Sequence, residues 1–146
     1  RAESKHKGYS GETNLFGISN LHRYFLYIGI AILPFFYYDF VTSMFIGGAF
    51  MIRLGSIILL VNAILVSLWT FSCHAFRHLT GGNVDCYSCT AAPKFRKGWF
   101  NRQSLMNEHH EAFAFISLAF IVGVDLYMRA LSAGWPIDFT FLSFHL

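Results

Sequence analysis

Three long apolar blocks, separated by polar stretches, dominate the chain. The first runs over residues 21–45 and centres on FLYIGIAILPFFYY at 25–38. Pro34 lies inside it and predicts a kink, tolerable in a membrane helix when neighbours satisfy the freed carbonyl. Asp39 falls near one end, at interfacial depth. The second block, LGSIILLVNAILVSLWTF at 54–71, holds 18 residues without a charge. About 20 are needed to cross a bilayer, and the helix is expected over 54–78. Asn62 is its one strongly polar residue and predicts an interhelical hydrogen bond. The third block, AFAFISLAFIVGV at 112–124, is shorter. A helix over 107–133 spans comfortably if Asp125 and Arg129, four residues apart, pair on one face. Residues 1–20 are polar and 79–106 form a loop. The aromatic tail WPIDFTFLSFHL reads as an interfacial segment. The fold class is therefore an all-α integral membrane bundle of about three transmembrane helices, one domain over 1–146.

Composition agrees with the pattern. Hydrophobic residues make 55% of the 146 and charged residues 13%, against about 25% charged in a soluble domain. That excludes disorder and leaves too little charge to cover a soluble surface. The net charge of +3 is small and scattered, which argues against a nucleic-acid partner. The chain starts at Arg1 with no apolar leader after it, so upstream residues are expected to be removed or absent.

Charge also sets orientation. With three spans, the N-terminal segment and the long loop share a side. That side holds Arg1, Lys5, Lys7, Arg23, Arg77, Lys94, Arg96, Lys97 and Arg102, whereas the other holds Arg53 and Arg129. The excess places the N-terminus and the loop in the cytoplasm.

The candidate chemistry is concentrated on the loop. All three cysteines fall between 73 and 89, in the order Cys73, His74, His78, Cys86, Cys89, and His109 and His110 follow at the start of the third helix. His74 and His78 are spaced to share a helix face. Gly81 and Gly82 then end that helix. Cys86-Tyr-Ser-Cys89 can offer two thiolates to one metal ion, and a disulfide there is disfavoured in a reducing compartment. Two cysteines and two histidines suit a structural zinc or a Rieske-type [2Fe–2S] cluster. A b haem would use histidines from two helices and leave the cysteines unemployed. Spacing alone leaves zinc, cluster and haem open. His22 reads as an interfacial anchor, and a haem role for it would need a facing histidine. Arg77 lies between the two helix-end histidines, either snorkelling to the interface or placed near a quinone head group.

Two stretches carry a family resemblance. CHAFRHLTGG at 73–82 and NEHHEAFAFISLAFIVGVDLYMR at 107–129 resemble the membrane-anchor subunit of actinobacterial succinate dehydrogenases. The likeness falls mainly on residues 54–131, and its matched positions include His110, Asp125 and Arg129. It implies an anchor that docks flavoprotein and iron–sulfur subunits on the cytoplasmic face and passes electrons to a quinone, usually menaquinone. Many relatives carry b haems. A mycobacterial-type branch carries a Rieske-type cluster instead, and Cys86 and Cys89 fit that branch. On this reading Cys86 and Cys89 hold one iron and two of His74, His78 and His110 the other, with Cys73 in reserve. Cys73 and His74 could serve one centre only across a broken helix end. Arg77 and Trp69 are the candidate quinone contacts. The family anchor has about five spans against three here. Two spans are therefore expected upstream of Arg1 or from a further membrane subunit.

Overall fold

The computed structural model describes residues 18–82 and 92–145. Helix α1 covers Ile18–Ser43 with Pro34 inside it. A two-residue strand β1 (Phe45–Ile46) and a five-residue strand β2 (Ala49–Arg53) follow. Helix α2 runs Leu54–Phe71, the short helix α3 covers His74–Arg77, and a π-helical turn continues over His78–Gly82. Helix α4 spans Pro93–Glu108, α5 spans His110–Ser132, and strand β3 covers Thr140–His145.

Three of these helices are long and apolar enough to cross a membrane: Leu21–Ser43, Leu54–Phe71 and His110–Ser132. Their apolar residues point largely outward. Phe35 is 67% and Phe115 68% exposed, an arrangement that a lipid solvent stabilises and water would not. The expected membrane bundle is thus borne out. Helix α2 packs against both α1 and α5. Its buried positions are Gly55, Ser56, Asn62, Ala63, Val66 and Thr70. Small residues let helices approach where no hydrophobic effect drives them together. Gly29 of α1 shows the closeness, since a Cβ there would lie 3.4 Å from the Thr70 side chain. Tyr37 and Ser67 hydroxyls meet at 2.9 Å across the same seam. Asn62 is only 2% exposed, yet its side-chain oxygen meets no partner among the described residues, so that oxygen does not make the expected interhelical bond.

The structure departs from the sequence expectation in three places. Helix α2 stops at Phe71 instead of running to 78. The expected loop 79–106 contains α4, which Pro93 opens at its first turn, a position where the missing N–H costs nothing. The aromatic tail is a strand. β1 and β2 form a hairpin closed by Gly47 and Gly48 at φ 61° and 78°, left-handed values that glycine adopts without strain and that two-residue hairpins require. β3 then pairs antiparallel with β2, Phe50 opposite Phe144 and Ile52 opposite Leu142.

An ionic network ties this sheet to the helices. Arg53 Nη1 lies 3.0 Å from Asp138 Oδ2. Asp138 Oδ1 accepts from the Gly55 backbone N–H and from the Tyr127 hydroxyl, each at 2.9 Å. One carboxylate therefore joins β2, the start of α2 and the last turns of α5. The expected Asp125–Arg129 pair also forms, at 2.7 Å, but both side chains are exposed.

Candidate metal centre

The chain crosses up, down and up, so the start of α1, the end of α2 and the start of α5 lie at one end of the bundle. Each contributes a ligand-type residue. His22, Cys73 and His110 offer donor atoms that all lie within 4.8 Å of one another. The His22 and His110 rings meet edge to face with centroids 6.1 Å apart. Cys73 is a free thiol, 4% exposed.

The break after α2 is what turns Cys73 inward. Ser72 ends the helix, its N–H donating to the Leu68 carbonyl at 3.0 Å. Cys73 is extended, with φ −60° and ψ 137°, and caps α3. Its carbonyl accepts from the Phe76 and Arg77 N–H groups at 3.0 and 3.1 Å. On a continuous helix, Cys73 and His74 would point about 100° apart. The break instead sends Cys73 towards His22 and His110, and His74 towards His78.

Ser72 also reaches the third helix. Its hydroxyl lies 2.8 Å from His110 Nδ1 and 2.9 Å from the Trp69 carbonyl. The Asn107 side-chain amide donates to the Ser72 carbonyl at 3.0 Å. Such outer partners orient a metal-binding imidazole and raise its basicity.

The sequence-derived candidates divide. His110 joins the cluster. His74 and His78 pack on each other with ring centroids 5.0 Å apart, outside the group formed by His22, Cys73 and His110. Burial pushes the His78 pKa below its ordinary value, and the positive fields of His74, Arg23 and Arg77 add to that push. Arg77 lays its guanidinium over the Phe100 ring of α4, 4.5 Å from its centroid. Cys86 and Cys89 lie outside the described residues. His22 is the member that sequence reasoning set aside, and the facing histidine it lacked is His110. The available signal was topological, because all three residues sit at span ends on the same side.

Beside the cluster, an apolar cleft of about 410 Å³ opens between α1, α2 and α5. Trp69, Thr70 and Ile121 line it together with Phe25, Gly29 and Ile32, and His22, Cys73 and His110 form its polar end. Of the two candidate quinone contacts, Trp69 lines this cleft and Arg77 is not in its lining.

The donor set can be tested against the candidate groups. Two imidazoles and a thiol, with no carboxylate among them, suit a soft or borderline metal: zinc, or the irons of a cluster. A haem between His22 and His110 fits poorly. The Cys73 sulfur, within 4.8 Å of both donor nitrogens, would fall inside the disc of a porphyrin.

Comparison with known proteins agrees with this arrangement of helices. The structure resembles a chain of the Mycobacterium smegmatis Sdh1 complex in the apo form, with a TM-score of 0.77 and 34% identity, over 94% of this chain and 52% of that one. The protein therefore spans about half the length of that neighbour. No curated protein matches it. The family model for the actinobacterial succinate dehydrogenase subunit SdhC matches residues 1–134, and the chain belongs to that family.

Proposed function

We propose that the chain is the membrane subunit of a succinate:quinone oxidoreductase, with no activity of its own, and that it holds a Rieske-type [2Fe–2S] cluster beside a menaquinone site. The observation that carries this reading is the convergence of His22, Cys73 and His110 from three membrane helices at the mouth of an apolar cleft. Two imidazoles and a buried thiol gathered there form a donor set for a soft or borderline metal.

The two histidines, His22 and His110, would hold one iron. Cys73 would hold the other, together with one thiolate of the Cys86–Cys89 pair, which completes a Cys₂His₂ set. A cluster bound there takes up and releases one electron at a time, at a potential raised by histidine ligation. The remaining roles fall to the chain itself. Ser72 orients the His110 ring. Trp69 and Ile121 give the cleft an apolar wall that excludes water and accepts an isoprenoid-bearing ring. Flavoprotein and iron–sulfur subunits would dock at the end where α3 and α4 bring Arg77, Lys94, Lys97 and Arg102, an excess of Lys and Arg that would face the cytoplasm.

Metal analysis with low-temperature electron paramagnetic resonance on the reduced, purified membrane complex tests the reading. The expected result is iron and a rhombic signal of low average g value in the wild type, both lost in His22→Ala. Zinc with no signal would make the same donors a structural staple. A low-spin haem signal in the oxidised complex would overturn the cluster.

A further inference from the structure

The hydrogen bonds around Ser72 fix more than a ring position. The Ser72 hydroxyl has one proton and two neighbours, the Trp69 carbonyl at 2.9 Å and His110 Nδ1 at 2.8 Å. A carbonyl oxygen only accepts, so both contacts are hydrogen bonds only when Ser72 donates to Trp69 and accepts from His110. With its proton committed, the hydroxyl meets His110 as an acceptor. Nδ1 must then carry a proton and donate. The ring nitrogen left with a lone pair is Nε2.

Ser72 is itself held firmly. It is fully buried, its N–H is bonded to Leu68, and its carbonyl accepts from Asn107 at 3.0 Å. Asn107 sits three residues before His110, in the last turn of α4. One residue at the helix break therefore ties together the end of α2, the end of α4 and the ring of His110, and its neighbour is Cys73.

We propose that Ser72 is a positioning residue that locks His110 as the Nδ1–H tautomer, so that His110 presents Nε2 to a metal shared with His22 and Cys73. This inference rests on the metal-centre reading above. It goes further by assigning the donor atom and naming the residue that selects it. Asn107 supports Ser72 through the Ser72 carbonyl.

The test uses the purified membrane complex with three variants. Ser72→Ala removes the acceptor for Nδ1–H, Ser72→Thr keeps it, and Asn107→Leu cuts only the tie to the Ser72 carbonyl. Loss of an outer partner typically weakens metal retention about 10–100-fold. Ser72→Ala is expected to lose metal at a chelator concentration lower by about that factor, with Ser72→Thr near wild type and Asn107→Leu between them. Retention in Ser72→Ala equal to wild type would overturn the proposal.

A measurement on the unmutated complex stands independently of variant assembly. In complex grown on histidine labelled with ¹⁵N at Nδ1 only, pulsed resonance should show at most one strongly coupled nitrogen, from His22. Two would place His110 Nδ1 on the metal and contradict the assignment. If the unmutated complex holds no metal at all, the metal-centre reading fails instead, so the two failures are told apart.

Discussion

The two ends of the helical bundle treat their polar residues in opposite ways. At the sheet end, opposite charges meet. Asp138 is neutralised by Arg53, and its oxygens also take the Tyr127 hydroxyl and the Gly55 N–H. At the other end, two imidazoles and a thiol converge with no carboxylate in their group, and after burial the groups that push the His78 pKa down are His74, Arg23 and Arg77, all of them basic. A network in which opposite charges meet and share further hydrogen bonds holds a structure together. Two imidazoles and a thiol gathered without a counter-charge are instead suited to holding a metal ion.

That contrast can be broken or sharpened by substitution. The largest effect is expected from Cys73→Ala, which should abolish metal retention and quinone reduction together while leaving the helical circular-dichroism signal intact. Asp138→Ala should act the other way round. Removing one partner of a largely buried ion pair strands Arg53, and a cost of about 3 kcal/mol is expected. Thermal unfolding in detergent would show it, with metal content per folded complex unchanged. Gly29→Leu should fill the cleft, where Thr70 lies 3.4 Å from the added Cβ. A several-fold rise in KM for quinone, without metal loss, is the expected reading from steady-state kinetics.

Acid sensitivity should also sort by end. Burial, then His74, Arg23 and Arg77, depress the His78 pKa below 6.5. Below that pH the unfolded chain takes up a proton that the folded chain refuses, so stability falls as pH drops through and below 6.5. His78→Asn should flatten this loss, which melting curves at pH 5.5 and 7.5, chosen as roughly one unit either side of the ordinary value, would reveal. The smallest effect belongs to Arg129→Gln. Its pair with Asp125 is exposed on both sides, and no change in melting temperature or metal retention is expected.

Much of the fold was legible because apolar runs of spanning length have few alternatives. α2 shows this best, a charge-free stretch that forms a helix from its first residue to its last. The break at Ser72 and Cys73 was not legible, since neither residue is a helix breaker. Bonds from Asn107 and His110, 35 and 38 residues away, accompany it, and nothing local announces them. α4 was hidden by its mixed charges and aromatics, and it starts after Ala92 in a left-handed conformation with no capping side chain. The sheet was missed because β1 has only two residues and the alternation in β3 is masked by phenylalanines on both faces.

The candidate site was legible by parts. The histidines and cysteines stood out by concentration, and His110 belongs to the cluster found here. His22 looked like an interfacial anchor because its partners arrive only when three helices stand side by side. Sequence spacing grouped His74 with His78 correctly as neighbours, but it could not show that the chain turns between Cys73 and His74.

The central claim is that histidines from α1 and α5 share one redox centre. Counting the ligating nitrogens tests it most directly, by pulsed electron paramagnetic resonance on the reduced wild-type complex with uniformly ¹⁵N-labelled histidine. The account predicts two strongly coupled nitrogens, one each from His22 and His110. A reduced cluster with no strongly coupled histidine nitrogen would contradict it and leave the convergence of His22, Cys73 and His110 without a redox role.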